Sequence, residues 1–254
     1  MADNKTLYIV GAGASNEVNL PTGQTLKEII ASLVDVTFQN DIAQTTADRL
    51  ITSAIRTHIH QQKLPEVELN SYLLAASRIH DAMPQAISID NFIDIHSNDK
   101  KIELCGKIAI VRSILASEGE SLLYISDSNI YNRLDFQPLE NTWYVSLMKL
   151  LTQQCHQKDL AERLKSIAFI VFNYDRCIAH FLYNSLQNYY GMNADEASKL
   201  VKEIEIYHPY GVVGSLPWQD GNSSIAFGAE PKPEQLLTLA SQIKTFTEGT
   251  DSNT

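Results

Sequence analysis

The residues of this chain whose types and spacing could do chemistry sit at the ends of three short apolar runs. Leu7 to Val10 enters Gly11-Ala-Gly-Ala-Ser15, Ile167 to Phe172 ends in Asn173-Tyr-Asp175, and Ile204 to Tyr207 ends in His208-Pro-Tyr-Gly211. A Gly-x-Gly turn lets the backbone bend tightly and approach a ligand closely. The free N–H groups that follow such a turn suit a phosphate. Gly11 and Gly13 lack the third glycine of the usual dinucleotide fingerprint, so the turn alone is a weak signal. Asn173 offers both a donor and an acceptor, and can orient a water or bind an amide or hydroxyl. His208 titrates near neutral pH and can act as a general base on a water or a ribose hydroxyl. Each also has an ordinary structural role: Ser15 and Asp175 as helix caps, His208 as a hydrogen-bonded turn histidine before Pro209. If the three runs are neighbouring strands, these groups converge on one crevice and suit attack at C1 of a ribose that carries a nicotinamide leaving group.

The elements that must position them follow from periodicity. Continuous apolar runs such as Leu7–Val10 are expected of strands buried on both faces of a parallel sheet. Polar and glycine residues at the C-terminal ends mark the edge where open α/β sheets bind ligands. Between the first and second runs the pattern is almost wholly helical from Asp35 to Gln157. Ser88 reads as the cap of a short helix, Ile102 to Leu123 as a longer one, and Asn141 to Cys155 as another. After the second run, helices are expected over 176–189 and 194–201. A short strand is expected at Ile225–Phe227 and a last helix after Pro231 or Pro233. The expected architecture is α/β: a Rossmann-like parallel sheet with a large, mainly helical insertion between its first and second strands. Residues 1–34 and 158–254 would form the sheet domain, and 35–157 a helical subdomain covering its binding edge.

At the strand ends the chain resembles the sirtuins, whose motifs are Gly-Ala-Gly-x-Ser, Gln-Asn-Ile-Asp and His-Gly. It is more similar to the sirtuin-like domains of bacterial anti-phage defence proteins. Those follow the glycine turn with Leu-Pro-Thr-Gly, as at Leu20–Gly23, and carry Phe-Asn-Tyr-Asp, as at Phe172–Asp175. The likeness rests on about 40 residues in matching order. It implies a domain that binds NAD and cleaves its nicotinamide–ribose bond. By that implication Asn173 and His208 are catalytic: Asn173 positions the water or the ribose, and His208 acts as base or binds the ribose hydroxyls. Gly11, Ala12, Gly13, Ser15, Thr22, Asp175 and Gly211 would bind NAD, with Asp175 at the carboxamide or ordering the loop. The cysteine-rich zinc ribbon of deacetylating sirtuins has no counterpart, so zinc is not expected. The arginine and aromatic of the sirtuin Gly-Ile-Pro-x-Phe-Arg loop are replaced by Leu20-Pro-Thr-Gly-Gln-Thr25. The family usually continues with another apolar strand that supports the adenosine half of NAD, and residues up to Thr254 show no such strand. The functional expectation is an NAD glycohydrolase of a defence system. The alternative is a module that senses NAD or an ADP-ribose derivative without cleaving it.

Composition narrows the partners. Thirty acidic against 20 basic residues give a formal net charge of -10. No basic run appears, which disfavours direct nucleic-acid binding. No apolar stretch approaches the ~18 residues of a membrane span, nor does the N-terminus read as a signal peptide. Cys105, Cys155 and Cys177 are too far apart for a disulfide framework or a zinc ribbon, so the cytoplasm is the expected compartment. His58 and His60 lie two apart and do not share a helical face. Cys177 is expected to be a buried helix residue, and Trp218 a loop anchor. The family likeness implies a homo-oligomer or a partner protein of a defence system.

Overall fold

The computed structural model describes residues 5–39, 42–126, 128–221, 223–245 and 248; for 37–39 and 42–45 it describes the backbone alone. In chain order the elements are β1 (Thr6–Val10), α1 (Ala12–Asn16), α2 (Gly23–Leu33), β2 (Val36–Gln39), β3 (Ile42–Thr45), α3 (Arg49–Gln61), α4 (Glu68–Ala82), α5 (Ile89–Ile95) and α6 (Lys100–Glu120). They continue as α7 (Trp143–Thr152), a single 3-10 turn (Gln157–Asp159), α8 (Leu160–Lys165), β4 (Ile167–Val171), α9 (Cys177–Tyr190), α10 (Ala194–Lys202), β5 (Glu205–Tyr207) and α11 (Pro233–Ala240).

The chain is mixed α/β. The three apolar runs form one parallel sheet in the order β1-β4-β5. Its register pairs Leu7 with Ala168 and Glu205, and Ile9 with Ile170 and Tyr207. Adjacent parallel strands in register put all three C-terminal ends on one edge, so the convergence expected of the three motifs is met at the level of the backbone.

Three expectations fail here. Only the central strand β4 is buried along most of its length; β1 is an edge strand with Leu7 52% and Ile9 71% exposed. The partners of these residues across the sheet, Glu205 and Tyr207, are exposed too. The other face carries Tyr8, Val10, Phe169, Val171 and Ile206, which pack into the core with α9. Side chains alternate between faces along a strand, so a four-residue apolar run is compatible with one buried face as well as two. The second failure lies within 35–157, where β2 and β3 pair antiparallel, Val36 opposite Thr45 and Phe38 opposite Ala43. Nor does Ile225–Phe227 form a strand. That segment is irregular beside an isolated bridge between Ser215 and Ser224.

The helices begin where their caps are. Thr142 accepts from the Val145 N–H, Ser88 from that of Asn91, and Asp48 from those of Leu50 and Ile51. Asn193 and Glu196 close a reciprocal capping box at α10.

Two compact units result. One comprises Met1–Leu20 and Ser117–Ala229, the other Pro21–Ala116 and Glu230–Thr254. The boundaries expected after residues 34 and 157 thus differ from those of the compact units. Residues 117–157 share a core with the sheet, because Leu123, Leu139, Tyr144 and Leu147 pack in one cluster with Phe169 and Phe181. In the second unit α11 packs on α3 and α2 on α4, around buried Ile30, Ile51, Ile55 and Ile79.

Candidate functional site

The first strand delivers a short helix. Gly11 is the N-cap of α1, with an extended backbone (φ −111°) and no side-chain cap. A Cβ added at Gly11 or Gly13 would meet no atom of the chain within 4 Å, and neither glycine has a positive φ. The turn therefore does not need glycine for its own conformation, contrary to the tight-turn argument. What two hydrogens leave there is room for another molecule to approach the backbone of Gly11, Ala12 and Gly13. The helix is held from α7: the Trp143 indole Nε1–H donates to the Ala14 carbonyl at 2.9 Å, and the Tyr144 hydroxyl to Ser15 Oγ at 3.4 Å.

The second strand delivers the residue that ties the site together. Asn173 is buried, and its side-chain amide lies 3.1 Å from Ser15 Oγ. Its other polar side-chain atom, Oδ1, has no hydrogen-bond partner among the described residues. Whichever way the amide is turned, one of its two polar atoms faces Ser15 and the other is left for something else. The backbone carbonyl of the same residue accepts from His208 Nδ1 at 3.0 Å. Asn173 is thus the bridge between the glycine turn and the third strand.

His208 has the electrostatics of a neutral base. Burial holds its pKa below 6.5, against opposing pulls from the Asn173 carbonyl and from Asp175. With Nδ1–H committed to that carbonyl, Nε2 carries the free lone pair. The Asp175 carboxylate accepts the Cys177 N–H at 3.0 Å and so fastens the start of α9.

Beside the second and third strand ends, with no lining residue from the glycine turn, lies a cavity of about 170 Å³, lined by Val171, Asp175, Arg176, Ile178, His208 and Gly214 among others. Cavities of roughly 150 Å³ hold a benzene-sized ring. Of the expected site residues, Asp175 and His208 line this cavity, while Ser15 and Asn173 connect to it through the Asn173 backbone. Gly211 is a turn residue: its φ of +81° favours glycine, and its N–H donates to the His208 carbonyl. Thr22 belongs to the other compact unit, where its hydroxyl accepts the Thr25 N–H at the start of α2.

Sequence reasoning missed the groups that hold the cavity wall. Arg176 and Glu118 form an ion pair with side chains 2% and 0% exposed. Arg176 also donates to the Ile225 and Ala226 carbonyls, and the Gly228 N–H donates to Glu118. Burial pushes the Glu118 carboxyl upward and Arg176 opposes it. Donors from Arg176 and Gly228 aim at both of its oxygens, an arrangement that the carboxylate satisfies. Trp218 anchors its loop as expected, stacked on Tyr183 at 4.6 Å. Cys177 is fully buried with its thiol pKa raised well above 9.0, chiefly by desolvation, which leaves it no nucleophilic role.

Among the described residues no three His, Cys, Asp or Glu gather as metal ligands. No helix among them is long and apolar enough to cross a membrane. Comparison with protein-family models, with curated proteins and with solved structures returns no match.

Proposed function

We propose that this chain is an NAD glycohydrolase of the sirtuin-like class, built on a Rossmann-like sheet. The observation that carries the reading is the continuous link from Ser15 through Asn173 to His208, at the C-terminal edge of three parallel strands. In this reading the open backbone at Gly11, Ala12 and Gly13 takes the diphosphate of NAD. The nicotinamide ring enters the cavity beside Asp175, whose size suits one ring. Asn173 uses its unpartnered amide atom to hold the attacking water or the ribose. His208 Nε2 takes the proton from that water as its oxygen bonds to the ribose carbon. The carbon–nitrogen bond breaks, its electron pair leaves with nicotinamide, and ADP-ribose remains. The defence role, and with it a homo-oligomer or partner protein, rests on the motif resemblance.

A second reading is a module that binds NAD or an ADP-ribose derivative without cleaving it.

The test is nicotinamide release from NAD by the purified chain, beside Asn173→Ala and His208→Ala. The hydrolase reading expects turnover that falls at least about 100-fold in both variants. Turnover equal in all three proteins overturns the assignment of the site. Saturable NAD binding without turnover in the parent chain selects the second reading.

A further inference from the structure

We infer that the groove between α7 and α9 is a second small-molecule site, separate from the strand-end cavity, for a neutral two-ring aromatic ligand with one N–H or O–H. The groove encloses about 390 Å³. That lies within the range of about 300–1,000 Å³ usual for ligand pockets. Its walls are largely apolar, formed by Phe136, Val145, Met148, Phe181 and Tyr189. Phe181 and Met148 are core residues, whereas Tyr189 stands 63% exposed at the mouth.

The polar residues Gln137, Glu140, Lys149 and Asn188 of the lining are exposed and Thr152 is half-buried, which leaves Ser185 as its one buried polar residue. Ser185 is 2% exposed, lies in the middle of α9 and lines the groove. A helical serine or threonine normally donates back to the carbonyl four residues earlier. Ser146 does so to Thr142, Thr152 to Met148, and Ser113 to Ala109. Ser185 Oγ does not, and has no hydrogen-bond partner among the described residues. Buried polar atoms are ordinarily paired, so an unpaired hydroxyl among apolar walls points to a ligand that pairs with it. The aromatic walls favour a flat partner. A full charge is disfavoured on the desolvated floor, because no charged side chain lies there to meet it: Glu140 and Lys149 sit at the exposed rim.

The experiment is equilibrium dialysis of the full chain against indole and against indene, which has the same shape without the N–H. Saturable one-to-one binding of indole is expected. Ser185→Ala is expected to weaken it about tenfold, to the level of indene. Val145→Trp, at a half-buried wall position on α7, is expected to fill the groove and abolish binding of both probes. Circular dichroism checks the fold of each variant, and Lys149→Trp at the exposed rim serves if Val145→Trp does not fold. Absence of saturable indole binding overturns the proposal. So does binding that survives the filling variant, which would place indole elsewhere, and so does equal affinity for both probes unchanged by Ser185→Ala. Val145 and Ser185 do not line the strand-end cavity, so none of these outcomes depends on NAD.

Discussion

At the scale of single residues the buried His180 and the half-buried His208 of the sheet unit make a pH argument. Burial drives the His180 pKa down to about 3, and it lowers that of His208 as well. Each folded-state pKa lies below the value of about 6.5 that the unfolded chain has. The unfolded chain therefore takes up protons first as pH falls. Stability is full above pH 6.5 and declines through the window between 6.5 and the folded pKa values, with a slope of about 1.4 kcal/mol per pH unit for each histidine. His180 stacks on Phe227 and makes a 3.0 Å hydrogen bond to the Leu123 carbonyl. His180→Gln keeps a donor for that carbonyl and removes the titration. Urea unfolding of this variant is expected to depend less on pH between 6.5 and 4, by about one proton; an unchanged dependence would show that His180 is not the titrating group. The same sign applies to the proposed chemistry: His208 works as a neutral base, so nicotinamide release should fall as pH drops below its pKa. Asn173, Asp175 and His208 were legible as polar residues closing apolar runs. The unpaired amide atom of Asn173 and the inner bonding of Ser15 were not, because they depend on where Tyr144 packs.

At the scale of elements the order and type of most helices were legible, because Thr142, Ser88 and Asn193 announce helix starts through local hydrogen bonds. Sheet position was not. Whether a strand is central or at an edge depends on its neighbours, and Leu7–Val10 looks as apolar as Ile167–Val171. The β2–β3 pair escaped for a related reason. Strands of four residues allow only two positions per face, too few for alternation to stand out from a helical background. The edge position of β1 predicts unequal costs along the sheet. Ile9→Thr, at a site 71% exposed, should cost less than about 0.5 kcal/mol. Phe169→Ala removes a ring that is 1% exposed and stacked on Tyr8, and should cost about 3–5 kcal/mol. Urea midpoints of the two variants measure the difference. Comparable losses would mean that the Leu7–Ile9 face is covered in solution.

At the scale of the whole molecule the deciding contacts join residues far apart in sequence. Arg176 meets Glu118 58 positions away and reaches carbonyls 49 and 50 positions away. No local pattern encodes such a pair, which is why it could not be read from sequence, although it sets the wall of the candidate site. The pair has an energetic consequence that differs from that of a surface ion pair. Glu118→Gln leaves the Arg176 charge buried without its partner, and breaking a buried pair in this way costs about 3–5 kcal/mol. Replacing both charges, as Glu118→Leu with Arg176→Met, removes the stranded charge. It also leaves the Ile225 and Ala226 carbonyls without their donor. The double variant should therefore be more stable than Glu118→Gln and less stable than the parent in urea unfolding. If it matches the parent, the carbonyls have found other donors and Arg176 does not hold the 215–228 segment. If it is no better than the single variant, the loss lies in the segment rather than in the stranded charge. Nicotinamide release should then fall with it, because Arg176 and Gly214 share the wall of the cavity that His208 faces.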